Sequence, residues 1–319
     1  MKRAIIVAAC GLLALASSAG RALALDKLHV ARAGAAIAFA GIEVGDETGI
    51  WKKYGLEIEA PTFGGDAKVE QALTAGEVEI GFGAGPSMAY RVKGVPAVAV
   101  AVIAGPPYSF VIATRPDSPL KSAADLKGKR VGITTAGSGT YWMVRELSRR
   151  EGWGLEGIFP VPLGEQRARA AALKNGDIDA SVMTSMAAFD LEANHAGRIL
   201  LSYGDIIKDY ITHLVLASDK LIATNPDLLR RFLKGWFESV AYMKTHRAEG
   251  ERIAAKAMNM DPQIIARAYE EEMRMLSDDG VFDPAAIELL RHSFVDLGLL
   301  DKVPEAKLLY RTDFVPVKF

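Results

Sequence analysis

Residues 173–183 read LKNGDIDASVM, and a hundred residues earlier residues 73–83 read LTAGEVEIGFG. Leu73 and Leu173, Gly76 and Gly176, Glu77 and Asp177, Val78 and Ile178, and Glu79 and Asp179 keep one offset, as do Gly64 and Gly164, and Ala72 and Ala172. Upstream, Gly55-Leu56-Glu57 answers Gly154-Leu155-Glu156 at a shift of 99. In the first copy Asp66 reads as the cap of a helix carrying Val69, Ala72 and Leu73 and ended by Gly76; the second copy repeats this with Ala168, Ala171, Ala172 and Gly176. The acids beyond each glycine alternate with Val78 or Ile178, the pattern of a short strand entering a core. β-type runs at 27–31 and 129–133 precede the two copies, each leading into a small-residue loop and a helix. Strand, loop, helix, strand, loop, helix, strand therefore occurs twice, at about 27–83 and 129–183. Alternating β and α units of this size predict an α/β fold of two lobes, each a mostly parallel sheet flanked by helices.

Between the copies, 95–103 is an apolar β-run, Gly105-Pro106-Pro107 breaks it, and 109–114 is a second run. Residues 198–203 and 213–218 read as two more strands. Chain crossings at 104–110 and 213–219 would make the second lobe (105–218) an insertion in the first (25–104 and 219–319). The last third is helical. Asn225-Pro226 supplies a cap and a first-turn proline before Leu228, Leu229, Phe232, Leu233 and Trp236, and the period runs on from Val240 to Met258.

Residues 1–24 stand apart from the fold. Lys2 and Arg3 precede an apolar stretch over 4–16, and Ala22-Leu23-Ala24 fits a cleavage site, so a secretory signal peptide and a periplasmic location are expected. About 13 apolar residues fall short of the ~20 that span a bilayer. Val7-Ala8-Ala9-Cys10 resembles a lipobox, but Leu12, Leu13 and Leu15 follow the cysteine, so lipoprotein anchoring is not expected. Cleavage after Ala24 would remove Cys10, the only cysteine, leaving stability to core burial. It would also remove Lys2, Arg3 and Arg21 from 38 basic residues, leaving 35 against 39 acids. So mild a balance argues against a nucleic-acid partner.

Catalytic signatures are scarce. The five histidines (29, 195, 213, 246 and 292) form no HExxH and no i, i+4 pair, so no metal is expected. Ser118-Pro119-Leu120-Lys121 stands in a proline-rich turn, and Gly85-Pro86-Ser87-Met88-Ala89 lacks the last glycine of a nucleophile elbow. No nucleotide-binding glycine motif occurs, and no cofactor is expected. What recurs is a small, polar loop after a strand and before a helix: Gly34-Ala35-Ala36, Gly64-Gly65-Asp66, the loop ending at Ser87, Gly137-Ser138-Gly139-Thr140, and Met183-Thr184-Ser185. Such loops lie at the carboxyl ends of parallel strands, where ligands bind, and their N–H groups and hydroxyls can hold an anion. Any one glycine could simply make a turn; the set at matching places in two lobes points to a cleft. Phe39, Tyr108, Tyr141 and Trp142 lie near these loops as pocket wall or as core. His213, at the second crossing, is either a donor to a ligand or a packed hinge residue. Arg32 and Arg145 are the nearest cations.

Thr48-Gly49-Ile50-Trp51-Lys52-Lys53-Tyr54-Gly55-Leu56-Glu57-Ile58 resembles a stretch of the sulfonate/nitrate/taurine-type solute-binding proteins. Gly64-Gly65, Leu73 with Gly76-Glu77-Val78-Glu79, the run Ala124-Asp125-Leu126-Lys127-Gly128-Lys129-Arg130-Val131-Gly132, and Asn225-Pro226 continue the likeness. It implies a class II periplasmic binding protein: a receptor, not an enzyme, that closes two lobes on a small solute and delivers it to the permease and ATPase of an ABC importer. A monomer is the expected state. By motif position the ligand contacts would fall on Gly34, Ala35, Ala36, Phe39, Gly64, Gly65 and Ser87, and in the second lobe on Ser138, Gly139, Thr140, Thr184 and Ser185. Gly137, Tyr108, Tyr141 and His213 complete the candidate set. Where relatives often carry an acid followed by proline, this chain has Ser185-Met186, which favours a simple anion or a neutral heterocycle over an aminosulfonate. The expected ligand is a small organic anion, sulfonate-like or an aromatic carboxylate. The alternatives are a pyrimidine-type heterocycle, a TRAP-type transporter (the stretch Thr135 to Thr140 is similar to its receptors), or an enzyme or sensor on the same fold.

Overall fold

The helices Asp66–Ala75 and Gln166–Asn175 both end on a glycine, Gly76 and Gly176, at φ +72° and +80°. A residue with a side chain is strained in that left-handed region, so glycine closes both helices. The N–H groups of Glu77 and Asp177 turn back to the carbonyls of Ala72 and Ala172, and Val78 and Ile178 enter the core. Two residues further, the Glu79 carboxylate accepts the His29 N–H at 2.9 Å and the Asp179 carboxylate accepts the Arg130 N–H at 2.8 Å. The repeated phrase is therefore a folding device that fixes the third strand of each half beside the first.

The computed structural model describes residues 24–319; the expected signal peptide, apart from its last residue, lies outside the described residues. Ten strands follow in chain order: β1 (Asp26–Arg32), β2 (Leu56–Glu59), β3 (Ile80–Gly83), β4 (Ala97–Ala104), β5 (Phe110–Thr114), β6 (Arg130–Ile133), β7 (Phe159–Pro162), β8 (Ala180–Thr184), β9 (Arg198–Ser202) and β10 (His213–Ser218). They form two sheets, ordered β2-β1-β3-β10-β4 and β7-β6-β8-β5-β9. β1 pairs parallel with β2 and β3, while β10 pairs antiparallel with β3 and β4. The second sheet copies this arrangement with β6 between β7 and β8, and β5 antiparallel to β8 and β9. Four strands of each sheet share a direction. The fifth is the one that arrives from the other half.

That arrangement corrects one boundary. The chain passes from β4 to β5 over 104–110. The return does not fall at 213–219: β10 is already a central strand of the first sheet, with His213 opposite Ala104, so the chain crosses between 202 and 213. The reason is the pairing itself, since only an interior strand buries a run as apolar as Leu214 to Ala217 on both faces. Beside the crossings, the Thr212 N–H reaches the Ala104 carbonyl at 3.0 Å and its hydroxyl bonds Gly105 O.

The helix Pro226–Thr245 starts where its signals place it, with the Asn225 side chain accepting the Leu228 N–H at 3.1 Å. Its apolar face covers the first sheet. Phe232 stacks on Trp51 at 5.5 Å and Trp236 meets Phe82 edge-on at 4.7 Å, each large buried side chain contributing about 1.5–3 kcal/mol. The continuous period to Met258 does not give one helix. A new helix, Arg247–Met258, begins after His246, whose ring stacks on Tyr242 at 4.0 Å. The C-terminal third also reaches further than a return to the first half. Helix Pro262–Met275 packs on helix Ser185–Ala193 of the second half, where Arg267 covers the Phe189 ring at 3.6 Å and pairs with Glu192 at 3.0 Å.

Candidate functional site

A pocket of about 740 Å³, counting the solvent at its mouth, opens where the loops after β1, β2 and β3 meet those after β6, β7 and β8. Equivalent positions of the two copies converge on it: Gly64 with Gly164, Asp66 with Gln166, and Ala84 with Thr184. Of the residues expected at the site, Gly34, Ala35, Ala36, Phe39, Gly64, Gly139, Thr140, Thr184 and His213 line this pocket.

The others do not. Gly65 stands at the seam between the halves, at φ +114°, where a Cβ would lie 2.9 Å from Thr135 Cγ2. Gly137 packs on the Tyr90 hydroxyl and does not line the pocket. The Ser138 hydroxyl accepts the Tyr141 N–H and bonds Thr134 and Thr140, so it caps helix Gly139–Arg150. The Tyr141 hydroxyl accepts from Arg145, and Tyr108 packs on Gly204 under the cations of Lys208 and Arg274. Ser87 is buried beside Asp66 and Glu70. Ser185 is buried at a helix start, with its N–H on the Ser109 carbonyl.

Asp66 overturns a further expectation. Gly65, not Asp66, occupies the cap position of helix Asp66–Ala75. The buried Asp66 carboxylate instead accepts the Ala84 N–H at 2.8 Å and, across the cleft, the Gly139 N–H at 3.2 Å. The N-terminus of helix Gly139–Arg150, one of the anion candidates in the sequence, is thus served by the protein's own acid. Burial raises the Asp66 pKa against the pull of these N–H groups. Glu70, one turn on, is pushed up to about 8 by burial and by the charge of Asp66.

The cation of the site is Arg169, which the sequence reading missed. Only 5% exposed, it lines the pocket from helix Gln166–Asn175. One guanidinium nitrogen donates to the Val182 carbonyl and Nε has no partner among the described residues; Glu165, which also lines the pocket, acts on the group through its charge without a hydrogen bond to it. Burial lowers its pKa to about 10. The candidate cations named from sequence are both engaged: Arg32 with Glu43 at 2.7 Å, and Arg145 with Glu156 at 3.0 Å. A signal was present, since position 69 at the same offset is Val69, a core residue. An arginine at a core position of a repeat is a site residue by default, because a buried unpaired charge is costly.

Part of the lining is aromatic. His213 lies 4.6 Å from the Phe39 ring and 5.9 Å from Phe110, all three lining the pocket. The imidazole is 7% exposed, neither nitrogen has a partner among the described residues, and burial lowers its pKa to about 3, which favours the neutral form. Phe110, Met143, Thr134, Glu165, Gln166 and Thr212 also line the pocket and were not foreseen.

Two mixed sheets of one topology, each flanked by helices and meeting at a pocket, define the periplasmic binding protein fold. The chain belongs to the NMT1/THI5-like family, whose model matches residues 36–249. It is 24% identical over 284 residues to a binding protein of Brucella abortus, covering 86% of this chain and 87% of that one. Its structure is similar to the alkanesulfonate-binding protein SsuA from Xanthomonas axonopodis pv. citri bound to MOPS, with a TM-score of 0.76 at 17% identity, covering 90% and 98% of the two chains. The desulfurization enzyme DSZB shares the fold at a TM-score of 0.63 and 17% identity, covering 91% and 97%.

Proposed function

We propose that this protein is an exported solute receptor of an ABC importer, and that it captures a small organic anion, sulfonate-like or an aromatic carboxylate, between its two halves. Arg169 is the observation that carries the reading. A buried guanidinium that no carboxylate contacts directly among the described residues, with only the charge of Glu165 acting on it, is costly, and an anionic ligand offsets that cost on binding. The ligand would touch Gly34, Ala36, Phe39 and Gly64 on the first half, and Arg169, Thr140 and Thr184 on the second. It would meet all of them only when the halves are together, so binding shifts the population toward the closed form. The family membership and the likeness to SsuA support a receptor that hands its cargo to a membrane permease and its ATPase.

A thermal-shift screen of sulfonates, carboxylates, nitrate and pyrimidines tests this. A cognate anion at 100 times its dissociation constant should add about 2.7 kcal/mol of stability. A response to neutral pyrimidines alone would remove Arg169 from its role. The fold of DSZB keeps an enzyme in view as the second reading, and chemical conversion of any hit from the screen would favour it.

A further inference from the structure

We propose that the end of the pocket formed by Phe39, Phe110 and His213 selects a planar aromatic acid bearing a second, hydrogen-bonding group on its ring. The proposal rests on the anion reading above and adds the other end of the ligand. Two phenyl rings and an imidazole line one wall, and the neighbouring positions 33, 35, 36 and 84 are all alanine, which leaves room against those rings. Aromatic walls favour stacked or edge-on partners, which a saturated chain or an inorganic anion cannot supply.

His213 then specifies more than flatness. Buried polar atoms are nearly always hydrogen-bonded, and leaving one unmatched is costly. Both imidazole nitrogens are buried and without a partner, although a packing role at this place in β10 would be met by leucine or phenylalanine without that cost. A neutral imidazole offers one donor and one acceptor. A ring hydroxyl, or a ring nitrogen with its N–H, can serve either. Arg169 would hold the acid group, the two phenyl rings the ring plane, and His213 the substituent. An aliphatic sulfonate would satisfy only the first of these.

The test is calorimetric titration of the full mature chain with benzoate, the three hydroxybenzoate isomers, benzenesulfonate, cyclohexanecarboxylate and ethanesulfonate. The proposal expects the arene acids to bind about tenfold or more tighter than cyclohexanecarboxylate, and one hydroxybenzoate isomer about tenfold tighter than benzoate. In His213→Phe that isomer should fall to the affinity of benzoate, and His213→Gln, which keeps a donor and an acceptor, should recover part of the difference. The order of affinities in the unaltered protein decides even if a variant fails to fold. If cyclohexanecarboxylate or ethanesulfonate matches the arenes, the aromatic inference is overturned while the anion reading stands. Equal affinity for benzoate and every hydroxybenzoate overturns the role of His213. If nothing in the set binds, both readings fall together.

Discussion

The Asp66 carboxylate accepts the backbone N–H of Gly139 from across the cleft, 3.2 Å away, while its other oxygen holds the Ala84 N–H of its own half. One side chain thus ties the loop after β3 to the first turn of helix Gly139–Arg150 in the other half. Replacing Asp66 by alanine strands both donors and should cost about 1–3 kcal/mol of stability in denaturant titration. The radius of gyration of the ligand-free protein should rise in solution scattering. An unchanged radius would show that the tie does not hold the halves together.

Glu70 gives a pH dependence of known sign. Its pKa of about 8 in the folded protein lies above the usual carboxyl value, so the folded state binds the proton more tightly than the unfolded chain. Stability therefore falls as pH rises from about 4.5 to 8. Glu272, also raised to about 8 by burial, acts over the same range, so the informative quantity is the difference between the parent protein and Glu70→Gln. That difference should move in favour of the variant by about 2–4 kcal/mol between pH 4.5 and 8. A constant difference would mean that Glu70 is charged in the fold.

Gly65 is a steric test of the seam. Alanine there meets both a left-handed φ of +114° and Thr135 Cγ2 at 2.9 Å from the other half. Gly65→Ala should cost about 1–3 kcal/mol and weaken ligand binding by keeping the halves apart. Undiminished affinity would show that closure needs less contact here.

The repeated acids predict matched costs. Glu79→Gln and Asp179→Asn each remove a charge that accepts a backbone N–H of a first strand, and each should cost about 0.5–1.5 kcal/mol. Neither should alter ligand affinity, because neither residue lines the pocket.

The fold was legible where its determinants are local. A glycine closing a helix, an acid reaching back to a neighbouring strand, and Asn225-Pro226 opening a helix are written within a few residues, and the repeat doubled the signal. The return crossing was misplaced because strand pairing is a long-range choice: His213 to Ser218 reads as a strand but does not name its partners. The site was legible as loops and less so as side chains. Asp66 looked like a cap because a capping acid and a bridging acid share one sequence position. Arg169 hid among Arg167 and Lys174 in what reads as a solvated helix face; only comparison with Val69 at the same offset marks it as buried.

The most direct test of the account is the affinity of Arg169→Met for whichever anion the unaltered protein binds, measured by calorimetry beside a thermal unfolding control. Methionine keeps the apolar volume and removes the charge, so the fold should be retained, or even gain stability. Affinity should fall about 100-fold or more, as expected when one partner of a desolvated ion pair is removed. A variant that binds the anion as tightly as the parent protein would contradict the claim that Arg169 is the charge the ligand answers.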